Sequence, residues 1–277
     1  MNNDDVVFRE YTSDDAILKY SRATAGTGIT TLLDGDYKEV YLRALDSLPP
    51  TVKKGPLRIL EFGCGAGMNL LHLVAVLGRE GFNIANAIGT DFSPVLIETA
   101  NAEAQKYLPD EERGRVKFCV AKNETLLRDL AANLQESEAS LENSFHFVLG
   151  VNTMRYCHRA GTELDCAADI FRLLVPGGVC VNIDMNDRFP AFRSALRNKL
   201  AGQKVKEEEC YLPSLEEYTR PFSSTGFEVL RSEHFCWIPH SAGPLLTGAL
   251  RSLSPILNSV AGSRAMRSLV VAKKPAA

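Results

Sequence analysis

Arg58-Ile59-Leu60-Glu61-Phe62-Gly63-Cys64-Gly65-Ala66-Gly67 decides the reading of this chain: an apolar run ends on an acid and enters three alternating glycines. A parallel strand buried on both faces needs an apolar run such as Ile59-Leu60. Glycine lets the backbone turn sharply and approach a ligand, and Met68 to Leu77 continues as an apolar-rich helix. The stretch reads as strand, turn and helix, with the turn as a ligand site. The dinucleotide fingerprint G-x-G-x-x-G requires a third glycine where Met68 stands, and a P-loop requires Gly-Lys-Ser/Thr, which does not follow.

The same unit recurs downstream. Ala87-Ile88-Gly89-Thr90-Asp91 reads as a second strand ending in an acid, and a carboxylate there can accept both ribose hydroxyl protons of an adenosine. Ser93-Pro94 opens a helix, because serine is a good N-cap and proline suits the first helical position. Val116 to Val120 reads as a third strand, followed by Ala121-Lys122-Asn123-Glu124. Phe145 to Asn152 reads as a fourth, Leu173-Leu174-Val175-Pro176-Gly177-Gly178 as the turn before a fifth, and Thr225 to Trp237 and Met266 to Lys273 as the last two. Strands alternating with helices imply a parallel sheet covered on both faces. Its ligand edge lies at the carboxyl ends of the strands, where Asn152 stands.

In this order the signals resemble the class I S-adenosylmethionine-dependent methyltransferases, closely from about Arg58 to Asp184 and loosely from Glu216 onward. The resemblance implies a doubly wound α/β fold: a mostly parallel seven-stranded sheet with helices on both faces and its last strand antiparallel. An N-terminal helical lid would occupy residues 1–48, and a Rossmann-like domain residues 57–277, with helical additions on the acceptor side at about 187–214 and 238–263, before and after strand six. It implies S-adenosyl-L-methionine as donor and S-adenosyl-L-homocysteine as product. Glu61, Gly63, Cys64, Gly65 and Gly67 would hold the methionyl part, Asp91, Phe92 and Ser93 the ribose and the flank of the adenine, and Asn123 or Glu124 the adenine edge. Asn152 and Tyr20 would complete the site, Tyr20 from the lid. The chain departs from the family at His146, where Asp is common, and in the long connection from Asn123 to Ser144.

Val151 to Arg159 is the most reactive polar segment, and Tyr156 and His158 are the catalytic candidates, since imidazole titrates near neutrality. The plainer reading of His158 is a residue that caps or surfaces its helix. Methyl transfer from a sulfonium needs alignment and exclusion of water more than strong acid catalysis. His234 and His240, flanking Trp237, are second candidates, and no G-x-S-x-G supports a hydrolase.

Composition narrows the acceptor. The chain has 277 residues, 45% of them apolar and 23% charged, with a net charge of -3, so nothing draws it toward nucleic-acid phosphates. Seven cysteines without a C-x-x-C suggest reduced, mostly buried thiols and no metal site. The polar, acidic N-terminus is unlike a signal peptide, which suggests a cytoplasmic protein. Phe235 to Leu250 and Ser252 to Ser263 carry no formal charge, but Arg251, prolines and glycines interrupt them, so a membrane span is not expected. The expected acceptor is a small, partly apolar molecule. The alternatives are an arsenite-type metalloid methyltransferase, with Cys157 and Cys210 as thiol ligands, and a non-catalytic protein that binds an adenosyl ligand.

Overall fold

A computed structural model of the chain describes residues 33–189, 212–239 and 242–276. Tyr20, most of the N-terminal lid, Cys210, His240 and most of the 187–214 addition lie outside the described residues. Seven strands form one sheet: β1 (Leu57–Phe62), β2 (Ile84–Asp91), β3 (Val116–Val120), β4 (Phe145–Val151), β5 (Leu174–Met185), β6 (Glu228–Phe235) and β7 (Arg267–Lys273). Their order is β3-β2-β1-β4-β5-β7-β6, and β7 alone runs antiparallel to its neighbours β5 and β6. The chain reverses direction across the sheet between β1 and β4, and this is the crevice where doubly wound sheets bind ligands.

The alternation of side chains sets the two cores. Ile59, Phe147, Leu149, Val181, Ile183 and Leu269 lie under α1 (Lys38–Asp46), α2 (Met68–Arg79) and α3 (Pro94–Tyr107). Leu60, Phe62, Val148, Cys180 and Val270 lie under α4 (Leu126–Leu134), α5 (Met154–Ala160), α6 (Glu163–Leu173) and α7 (Leu215–Ser224). Burying both faces contributes about 1.5 to 3 kcal/mol for each fully buried large side chain, which is why the central strands read as continuous apolar runs.

Local chemistry explains the helix starts. Ser93 accepts a hydrogen bond from the Leu96 amide and Pro94 is the first helical residue, as its dipeptide predicts. Ser214 and Glu217 form a reciprocal capping box at α7. The long connection from Asn123 to Ser144 is filled by α4 and a further helical turn, Glu138–Leu141.

Two details refine expectation. The stretch expected as a turn before the fifth strand lies within β5, which begins at Leu174, but keeps a turn: pairing with β4 jumps from Phe145–Leu174 to Phe147–Val179, Gly177 has a φ of 79°, and the Gly177 amide and Gly178 carbonyl pair with Lys274 beyond the end of β7. His146, where the family often has Asp, accepts the Arg58 amide on Nδ1 at 2.9 Å and so ties β4 to β1 at their amino ends. Burial, reinforced by the Arg58 charge, keeps its pKa below the usual imidazole value, which suits an acceptor nitrogen.

Candidate functional site

The turn after β1 separates three glycines that look equivalent in sequence. All three have positive φ, at 60°, 54° and 80°. A Cβ on Gly63 would stand 2.1 Å from the Thr153 hydroxyl, and one on Gly67 would stand 2.6 Å from the Phe118 ring. A Cβ on Gly65 would meet nothing within 4 Å. Gly63 and Gly67 are thus demanded by packing, whereas Gly65 turns its bare Cα toward open space. Gly63→Ala should therefore destabilise the fold by about 1 to 3 kcal/mol through strain and overpacking. Urea unfolding checks this, and an unchanged midpoint would show that the Thr153 contact is not needed.

Asp91, at the carboxyl end of β2, closes the turn. Its Oδ2 accepts the Gly65 amide at 2.9 Å and its Oδ1 the Ser93 amide at 2.9 Å. Each oxygen retains a lone pair, so the carboxylate can still accept two further protons. Burial pushes its pKa up, against the pull of those amides. Ser93 is buried and Phe92 half-buried beside it. Cys64 is buried, with its amide on the Thr90 carbonyl, and burial pushes its thiol far up, so it is a packing residue of the turn and not a nucleophile.

Glu61 is completely buried and grips the start of α2. Its Oε1 accepts Asn69 Nδ2 at 3.2 Å and its Oε2 the Leu70 amide at 2.9 Å. Burial raises its pKa to about 8, although both hydrogen bonds oppose the shift. The carboxyl therefore stays largely protonated at neutrality, beneath the turn.

On the other side of the turn, Asn123 donates to the Thr153 hydroxyl at 2.9 Å and so joins the loop after β3 to the loop after β4. Glu124 is exposed. Asn152 has a positive φ of 57°, a conformation asparagine tolerates better than most residues, and its Oδ1 accepts Arg267 Nη1 at 2.7 Å. Beyond it the Arg155 amide donates to the buried Asp184 at 3.1 Å. The Arg155 guanidinium reaches the Tyr156 hydroxyl at 2.7 Å and also contacts Met185 Sδ. His158 stands a turn further along α5, where its charge is one of the smaller influences that, after the Ser214 amide, hold Glu217 below the usual carboxylate range. The structure thus links Tyr156 through Arg155 to Asp184 at the carboxyl end of β5 and turns His158 toward α7.

Two residues that the sequence did not single out lie under this edge. Tyr37 and Tyr41 are buried, 1% and 0% exposed, and among the described residues neither hydroxyl has a hydrogen-bond partner. Burial pushes the Tyr37 hydroxyl up to about 12, partly offset by Arg267, and raises that of Tyr41, with Glu61 adding to the effect. Their spacing of four residues is also that of an ordinary core helix, so only the fold reveals that they adjoin the site. Arg267 was equally hidden, because its partner Asn152 is 115 residues away.

Residues 33–232 match the family model described as a methyltransferase domain. No curated protein matches the chain in sequence. Among solved structures, phosphoethanolamine N-methyltransferase 2 of Haemonchus contortus, solved with S-adenosyl-L-methionine, is similar at a TM-score of 0.58 and 18% identity, over 97% of this chain and 59% of that one. Geranyl diphosphate methyltransferase, also solved with the donor, has a TM-score of 0.53 and 16% identity over 90% and 91% of the two chains. The cyclase SpnF has a TM-score of 0.55 and 17% identity over 87% and 81%. At such identities the likeness establishes the architecture, and the cyclase among the neighbours shows that architecture does not fix the reaction.

Proposed function

Because the chain belongs to the methyltransferase-domain family, the class I S-adenosylmethionine-dependent methyltransferases, we propose that it transfers a methyl group to a small, partly apolar acceptor at the carboxyl edge of β1, β2 and β4. The observation that carries this reading is the pairing of Gly65 with Asp91: an open Cα on the turn, and beside it a carboxylate with unused lone pairs. That arrangement suits a nucleoside ribose next to a chain that lies close along the backbone. When bound, S-adenosylmethionine supplies a methyl group on a sulfonium, which an acceptor lone pair displaces in line.

The protein's part is to hold and exclude. Asp91 accepts the ribose hydroxyl protons, Phe92 flanks the adenine, and the Asn123 side of the site meets its edge. The turn from Gly63 to Gly67 lines the methionyl chain. Asn152, fixed by Arg267, and Tyr156, fixed by Arg155, face the acceptor side, where Tyr156 orients the nucleophile. His158, turned toward Glu217, is better suited to positioning α5 than to taking a proton. The metalloid alternative is weakened by Cys157, which is buried, with its thiol hydrogen-bonded to the Thr153 carbonyl and to the buried Cys166. The non-catalytic alternative remains distinguishable by turnover: methyl-labelled donor incubated with fractionated small-molecule extracts should yield labelled product and S-adenosylhomocysteine. Tight donor binding without any product across such extracts would favour the binding protein.

Glu61 supplies a second readout that does not depend on turnover. A raised carboxyl pKa means that the folded state keeps a proton the unfolded chain releases near 4.5. Between about 4.5 and 8, folded protein binds more protons than unfolded, so stability falls as pH rises through that window. Glu61→Gln should flatten this slope, as measured by denaturant midpoints at pH 5 and pH 8. A cationic donor over the turn should return Glu61 toward its ionised form and release a fraction of a proton near pH 7. Calorimetry in buffers of different ionisation heat reads that release, and binding heats independent of buffer would disconnect Glu61 from the donor.

A further inference from the structure

The helix between β6 and β7, α8 (Pro244–Ala261), presents an apolar stripe outward. Leu245, Leu246, Ala249, Leu253, Ile256 and Val260 fall within about 100° of arc on one side, at 3.6 residues per turn. That side faces outward: Leu245 is 92% exposed, Val260 82% and Ile256 61%. The opposite side, where Leu250 packs against the cluster of Cys236, Ile238 and Met266, holds the helix to the protein. Thr247 is buried there, and Asn258 accepts the Trp237 indole N–H at 2.7 Å, beside the carboxyl end of β6. A helix on a soluble surface normally does the reverse, so its outward stripe is built for an apolar environment.

We propose that α8 is an interfacial helix that seats this edge of the protein on an anionic lipid surface. The area speaks against a second copy as occupant. From Leu245 to Val260 the stripe is about 22 Å long at 1.5 Å per residue and about 10 Å wide, or roughly 220 Å², well below the ~800 Å² per partner of a stable protein interface. It suits a helix lying in the plane of the headgroups with its apolar side a few ångströms into the acyl region. Charge fits as well: no acidic residue follows Glu233, and Arg264 stands exposed just past the end of the helix, while Arg251 lies on the opposite side of α8 with its guanidinium at Gly35. Among the described residues no helix is long and apolar enough to cross a membrane, so the seat is a surface contact. It places the carboxyl edge, where Trp237 and α8 stand, beside the lipid, independently of which acceptor the enzyme uses.

The test is co-sedimentation of the full chain with vesicles of equal parts phosphatidylcholine and phosphatidylserine, and with vesicles of phosphatidylcholine alone. Wild type should bind the anionic vesicles and shift the fluorescence of Trp237, the chain's single tryptophan, to the blue. The variant carrying Leu245→Glu, Ile256→Glu and Val260→Glu should lose at least tenfold in partition while keeping its circular dichroism. Leu245→Ser with Val260→Ser gives the same comparison if the glutamates disturb folding, with a smaller loss expected. Three results would overturn the proposal: wild type that ignores both vesicles, variants that partition like wild type, or a dimer in sedimentation velocity that the substitutions dissociate, which would make the stripe an interface between copies.

Discussion

Gly65→Val is expected to abolish measurable donor binding, a loss of more than about a hundredfold in affinity, while the sheet stays folded. A Cβ on Gly65 would meet nothing within 4 Å, whereas the neighbouring glycines are closed off by Thr153 and Phe118. A branched side chain would therefore project into the space assigned to the methionyl chain. Its own cost at a φ of 54° is about 1 to 3 kcal/mol of backbone strain, a fraction of the 5 to 15 kcal/mol typical of a domain. Titration with S-adenosylhomocysteine, alongside circular dichroism and a urea midpoint, separates the two effects. Gly63→Ala is the contrasting variant, because its steric conflict is with Thr153 and it should lose stability first. If Gly65→Val unfolds in step with its loss of binding, Gly65 is a packing glycine like its neighbours.

Asp91→Ala should weaken donor binding by about 1.5 to 3 kcal/mol, the scale of hydrogen bonds to a charged acceptor. Part of that loss would come from the turn itself, since Asp91 also holds the Gly65 and Ser93 amides. A cycle isolates the ribose contribution. An S-adenosylhomocysteine analogue lacking both ribose hydroxyls should bind wild type more weakly than the parent by a similar amount, yet bind Asp91→Ala no more weakly than the parent does. Equal sensitivity of both proteins to the missing hydroxyls would remove Asp91 from ribose recognition and leave it as the clasp of the turn.

What the sequence made legible follows from burial. Strands covered on both faces read as apolar runs, so β1, β2 and β4 were visible at once, and Ser93-Pro94 marked the start of α3 because capping is chemistry local to a few residues. The mostly parallel seven-stranded sheet and the antiparallel β7 came through the family resemblance and hold in the structure. The Pro176-Gly177-Gly178 turn signal is real, since Gly177 has a φ of 79° and the pairing with β4 breaks there, but it falls inside β5 because the backbone also pairs with Lys274, a contact distant in sequence. The site was legible in its glycines and in Asp91. It was not legible in what distinguishes Gly65 from Gly63, since that depends on Thr153 arriving from another strand. Tyr37, Tyr41 and Arg267 were hidden for the same reason: each joins the edge only through tertiary contacts. The uncharged stretch beyond Phe235 is plain in the sequence, but composition carries no direction, and only the fold shows that Cys236, Ile238 and Ala242 turn inward while one stripe of α8 faces outward.

The central claim is that the loops at the carboxyl edge of β1, β2 and β4 hold the donor. Hydrogen exchange of the wild-type chain with and without saturating S-adenosylhomocysteine tests it most directly. Slowed exchange is expected in peptides covering 63–70, 91–96, 121–125 and 152–156, with the amides of Gly65 and Ser93 among the most affected, and little change at the amino ends of the strands. Protection confined to other segments, or a folded chain whose exchange the ligand leaves unaltered, would contradict the account.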